Sequence, residues 1–109
     1  MMEAVRVCKV EDVQEGEPMP AEVPGLPELA IYNVGGEYFA TDNHCTHGNA
    51  LLTDGYQEEA RIECPFHGGA FDIRSGAPVT FPCQIALRTY QVRVEDGWIA
   101  VVPPAEVAA

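Results

Sequence analysis

Two short segments, Cys45-Thr46-His47-Gly48 and Cys64-Pro65-Phe66-His67-Gly68-Gly69, each carry one thiol and one imidazole, and 16 residues separate His47 from Cys64. No other feature restricts the fold as strongly, because four such donors converge only if a scaffold holds two loops face to face. Thiolate suits zinc, Cu(I) or iron–sulfur iron, and imidazole suits zinc, copper, iron or nickel. Two solutions fit. One is a tetrahedral structural zinc; the other is a two-iron cluster with both cysteines on one iron and both histidines on the other. Spacing favours the cluster, since zinc fingers pair cysteine with cysteine and histidine with histidine. Here each loop supplies one of each. Gly48, Gly68 and Gly69 follow the histidines and let the backbone approach closely and turn with positive φ. Pro65 stiffens the second loop between its donors.

The scaffold around these loops reads as all-β. Val5 and Val7 alternate with polar neighbours, as in a half-buried strand. Leu29–Val34, Gly35-Gly36 and Glu37–Thr41 read as strand, tight turn and strand. Tyr90–Val94 and Trp98–Val102 flank Asp96-Gly97 in the same way. Residues 16–27 hold four prolines and two glycines, which predicts a connection or an edge strand, because proline cannot donate to a ladder. Short strand-like pieces surround Ala60–Glu63 and Phe71–Ile73, and the tail from Pro103-Pro104 reads as frayed. With 109 residues the chain has room for one domain, 1–109, with a loop-rich excursion at about 42–82 between two hairpins.

Charge excludes partners. Seventeen acidic residues against six Lys and Arg give a formal net charge of −11. Nucleic acid and anionic membranes both need cationic side chains to meet phosphate. An acidic carrier is instead steered toward basic patches on other proteins. The N-terminus lacks a basic, then apolar, then small-residue leader, and no apolar run is long enough to span a bilayer. The expectation is a cytoplasmic protein whose cysteines are ligands or free thiols.

The spacing Cys45-x-His47-x16-Cys64-x-x-His67 is the Rieske signature, and the chain resembles a Rieske-type [2Fe–2S] ferredoxin of bacterial aromatic-ring-hydroxylating dioxygenase systems. The resemblance extends to Gly16-Glu17-Pro18, Gly35-Gly36, Asp54-Gly55, Glu63, Phe71-Asp72, Gly76, Pro82 and Tyr90. It implies a Rieske-type antiparallel β-sandwich with a loop-rich cluster-binding subdomain, and one [2Fe–2S] cluster bound by Cys45, His47, Cys64 and His67. It also implies a monomeric, non-catalytic electron carrier in aromatic hydrocarbon catabolism. Such a carrier takes single electrons from an NAD(P)H-dependent flavoprotein reductase and passes them to a terminal Rieske oxygenase. The rival expectation is a small Rieske subunit fixed within a larger oxidoreductase, of the nitrite reductase type. The chain shows no dinucleotide fingerprint and no segment for a two-histidine, one-carboxylate iron site.

Departures from the wider family pattern are informative. High-potential members carry an extra cysteine in each loop, joined as a disulfide; the matching positions here are Ala50 and Phe66. Their hydrogen-bonding serine is matched by Gly69, and a second proline of the covering loop by Ala86. Fewer donors to sulfur stabilise a reduced cluster less. The expected potential therefore lies toward the bottom of the Rieske range of about −150 to +300 mV. His44 reads as an ordinary loop histidine, and Cys8 and Cys83 as buried or idle thiols. Phe39, Tyr90 and Trp98 read as core, and Phe66 as packing over the cluster.

Overall fold

The apolar run Leu29–Val34 is buried at every position except Asn33, which marks a strand covered on both faces. The computed structural model describes residues 4–46, 48–66, 68–81 and 83–104, so His47, His67 and Pro82 lie outside the described residues. Ten strands run through it: β1 (Val5–Lys9), β2 (Met19–Ala21), β3 (Leu29–Val34), β4 (Glu37–Asp42), β5 (Tyr56–Glu58), β6 (Arg61–Glu63), β7 (Ala70–Asp72), β8 (Pro78–Thr80), β9 (Thr89–Glu95) and β10 (Trp98–Val102). A six-stranded sheet has the order β1-β10-β9-β4-β3-β2, and a four-stranded sheet the order β5-β6-β7-β8. Every strand pairing is antiparallel.

β3 separates two cores. Leu29 and Ile31 join Cys8, Val13, Ala40, Ile99 and Val101, so residues from both ends of the six-stranded sheet meet on one side of β3. Ala30, Tyr32 and Val34 face the other way, toward Ile62, Phe71 and Ile73 of the four-stranded sheet and toward Cys45, Cys64 and Cys83. The second core is the interior of the sandwich, and the metal loops close one part of it. β4 and β9 pair at only two positions, Ala40 with Tyr90 and Thr41 with Thr89. Polar bonds reinforce that narrow seam: Tyr90 Oη donates to Asp42 Oδ1 at 2.5 Å and Arg88 Nε to Asp42 Oδ2 at 3.0 Å. Burial pushes the Tyr90 phenol up, and the Asp42 carboxylate adds to the effect. Its hydroxyl therefore stays a donor.

The long hairpins fall where the residue pattern puts them. Val34 pairs with Glu37 across Gly35-Gly36, and Glu95 with Trp98 across Asp96-Gly97. β2, inside the proline-rich stretch, is the edge strand next to β3. Two short strands are new. β5 and β8 are the edges of the small sheet, and β8 begins on Pro78, a position where a missing N–H costs no ladder bond. Two core expectations change. Trp98 is half-buried on the outer surface, with Arg6 at 5.8 Å and Lys9 at 5.6 Å from its ring centre. Phe39 is likewise half-buried, packed against the sandwich core beneath the Arg74 guanidinium. In both cases a cation covers one face of the ring. Pro103 is buried, so the chain stays on the protein body at residues 103–104; the rest of the tail lies outside the described residues.

Gly76 and Gly97 separate backbone strain from crowding. Both take positive φ, +78° and +79°. A Cβ on Gly97 would meet open space, whereas one on Gly76 would lie 2.3 Å from the Leu87 carbonyl oxygen, at the root of the loop that carries Cys83. Gly97→Ala should cost only the left-handed penalty, about 1 kcal/mol. Gly76→Ala should cost about 3 kcal/mol or more, because backbone must also move. Urea denaturation of the two variants should give clearly separated midpoints; equal midpoints would remove the crowding term.

Candidate metal centre

The two cysteine loops are built alike. The Cys45 amide donates to the Ala50 carbonyl at 2.9 Å, and the Cys64 amide to the Gly69 carbonyl at 2.7 Å. In each case a cysteine N–H closes a loop onto the residue five positions later, so each cysteine stands at the base of its loop. His47 and His67 lie within those two closures in sequence. Of the three glycines expected to turn the loops, Gly68 alone has positive φ, +72°.

The first loop hangs from Asn43, whose side chain is fully buried. Its Oδ1 accepts the Thr53 amide at 2.9 Å, and its Nδ2 donates to Glu28 Oε1 at 2.8 Å and to Thr53 Oγ1 at 3.1 Å. Its backbone N–H donates to the Glu28 carbonyl, and its carbonyl accepts from Leu52. An amide group satisfied on every side in a dry site fixes one geometry, because any shift would strand a buried donor or acceptor. The two ends of the first cysteine loop, at 43 and 52–53, are thereby pinned together. No pattern in the sequence marks Asn43 for this part; its signal is only its place at the end of β4, next to the cysteine loop.

Both sulfurs are dry. Cys45 is 4% exposed and Cys64 is 2%, and they share one core with Leu52, Ile62 and Phe71. Burial is the main cause pushing the Cys64 thiol up; a backbone hydrogen bond from Phe66 opposes the shift, and the nearby Cys45 sulfur adds to it. Two thiolates cannot be kept together in such a place by the protein alone. A ferric centre supplies the positive charge that stabilises both, and a coordinating thiol loses its proton outright. The chemistry of this donor pair fits the sulfur side of a [2Fe–2S] cluster.

A third thiol stands with them. Cys83, on the loop between β8 and β9, is 5% exposed and belongs to the same core. Burial pushes it up to about 12, with Cys45 and then Cys64 adding to the rise. The residue pattern gives Cys83 no such company, since it follows Pro82 in a separate loop. Cys8 is also buried but sits in the other core, away from the metal loops. His44 is exposed and bridges Leu51 through the backbone. Phe66 is 53% exposed, as are Phe81 at 77% and Ile85 at 66% on the covering loop. Thr46 Oγ1 donates to the Ile85 carbonyl at 2.6 Å, tying the first metal loop to that cover.

The Rieske [2Fe–2S] domain profile matches residues 3–91. The chain is 44% identical over 102 residues to the ferredoxin component of the p-cumate 2,3-dioxygenase system of Pseudomonas putida, covering 93% of this chain and 86% of that one. In structure it is similar to a ferredoxin of Sphingomonas yanoikuyae B1, at 56% identity and a TM-score of 0.90, covering 94% of this chain and all of the other. It is also similar to a chain from the complex of reduced oxygenase and oxidised ferredoxin in carbazole 1,9a-dioxygenase, at 39% identity and a TM-score of 0.85, covering 91% and 92%. With dry paired sulfurs, twin loops and a matching scaffold, the chain belongs to the Rieske [2Fe–2S] family, as an electron-transfer ferredoxin with one such cluster.

Proposed function

We propose that Cys45 and Cys64 hold the inner iron and His47 and His67 the outer one, in a cluster-binding region spanning about 42–82 of a single domain. The observation that carries this is the pair of dry sulfurs at the bases of two loops closed in the same way. Bound there, a [2Fe–2S] cluster supplies reversible one-electron chemistry. The chain's own residues do the rest. The Asn43 clamp fixes the first loop, the cover tied by Thr46 keeps water from the sulfurs, and the Phe66 amide donates to Cys64.

We further propose that this monomer accepts electrons from a flavoprotein reductase and delivers them to a terminal aromatic-ring oxygenase. Relatives that are ferredoxins of dioxygenase systems, one in complex with its oxygenase, support this over a fixed subunit of a nitrite reductase. The surface supports it too. Residues 43–53, 64–71 and 75–87, which carry the metal loops and their cover, contain no Asp, Glu, Lys or Arg in a chain of net charge −11. Exposed Phe66, Phe81 and Ile85 lie on those same stretches. Uncharged apolar surface desolvates readily against a partner, while the acidic remainder steers the approach. Among the described residues no helix is long and apolar enough to cross a membrane. All four cysteines are free thiols, which supports a cytoplasmic location, where a reducing compartment keeps them so.

Three outcomes test this reading. Cys64→Ala should abolish visible absorption and the low-field resonance of the reduced protein; a variant retaining both would remove Cys64 from the ligand set. His67→Cys should keep a cluster but lower its midpoint toward the roughly −400 mV of plant-type ferredoxins. In stopped-flow electron transfer to a terminal oxygenase, Phe81→Ser should weaken binding about 5–10-fold at every salt concentration. Added salt should slow association of both proteins alike, because its effect acts through the acidic remainder.

A further inference from the structure

Three thiols meet at the buried side of the metal centre, yet the ligand set above uses only two. Cys83 reaches this place from a third loop, and two contacts hold that loop down. The Cys83 amide donates to the Thr80 carbonyl at 3.1 Å, and the Ile85 carbonyl accepts from Thr46 Oγ1 at 2.6 Å. At the loop's far end the Leu87 amide donates to the Gly76 carbonyl at 2.8 Å. The loop that carries the thiol is therefore tied by backbone hydrogen bonds at Cys83 and at Leu87. The thiol is buried in the core it shares with Cys45 and Cys64, and its sulfur is within hydrogen-bonding reach of the Cys45 sulfur.

Chemistry limits what such a group can do. An ordinary thiol is protonated near neutral pH, so Cys83 carries a neutral S–H. A neutral S–H beside an anionic sulfur donates a hydrogen bond to it. The donor-poor loops make one additional donor matter, since Gly69 offers no side-chain hydroxyl and Phe66 no thiol. Hydrogen bonds to cluster sulfurs favour the more negative, reduced state and so raise the potential.

We propose that Cys83 is a positioning and tuning residue of the metal centre, its thiol donating to the Cys45 sulfur and raising the reduction potential of the protein. The inference rests on Cys45 being a ligand, and Cys45→Ser tests that separately by loss of the cluster. If Cys45→Ser keeps the cluster, the ligand assignment fails; if it loses the cluster, the variants at position 83 decide the tuning role.

The test compares Cys83→Ala and Cys83→Ser with the wild type, purified with cluster. Two readouts are used: the midpoint from a titration followed by visible circular dichroism, and the iron–cysteinyl sulfur stretching frequencies by resonance Raman. Cys83→Ala should keep a full cluster, lower the midpoint and raise those frequencies, because the Cys45 sulfur loses a donor and bonds iron more strongly. Cys83→Ser, which keeps an O–H of similar placement, should restore most of both shifts. Thr46→Val, which frees the cover without touching Cys83, should shift both readouts part of the way toward Cys83→Ala. An alanine variant with unchanged midpoint and frequencies overturns the proposal. So does a serine variant that shifts as far as alanine, since the effect would then come from packing and not from a donor.

Discussion

Two thiols lie side by side in a place with almost no water, and most of the structure near them serves to keep that arrangement. Buried sulfur pairs resist ionisation, because each anion is poorly solvated and repels the other. Iron reverses the balance by supplying charge at the point where the anions gather. With those thiols as the proposed ligands, the protein would have to hold Cys45 and Cys64 in register for the metal and exclude solvent around it. The matching closures at Ala50 and Gly69 do the first, and the dry core of Leu52, Ile62 and Phe71 does the second.

The sandwich makes this possible through β3. Burial on both faces gives it two cores, and only the one facing the four-stranded sheet contains the site. The seam between β4 and β9 is short, so the Tyr90–Asp42–Arg88 bonds hold together the strands from which the first cysteine loop leaves and to which the covering loop returns. A rigid sheet with long loops at one end places donors accurately while leaving their surroundings free to vary. The same end is charge-free and partly apolar, whereas the rest of the chain is strongly acidic. On the proposed function, the acidic remainder would steer the approach and the uncharged stretches would make the close contact.

How much of this was legible depends on the range of each interaction. The long hairpins follow from alternation and from Gly35-Gly36 and Asp96-Gly97, whose turn conformations are encoded within a few residues. β5 and β8 were not legible, because three-residue edge strands carry too little pattern and take their conformation from the neighbours they pair with. Trp98 and Phe39 looked like core for a related reason. Composition says that an aromatic ring resists water, but not that Arg6, Lys9 or Arg74 will lie over it.

The sequence by itself determined the all-β scaffold and the family, and it nominated Cys45, His47, Cys64 and His67 as the proposed ligands, since thiol and imidazole spacing within each loop is a local property. Tertiary structure alone decided that Asn43 would pin the first loop through Glu28 and Thr53, and that Thr46 would fasten the cover at Ile85. It also decided that Cys83, remote in the chain from Cys45, would share its core. Those contacts join residues 10 to 39 positions apart, and folding, not spacing, sets which distant groups meet in a dry place where a single hydrogen bond has weight.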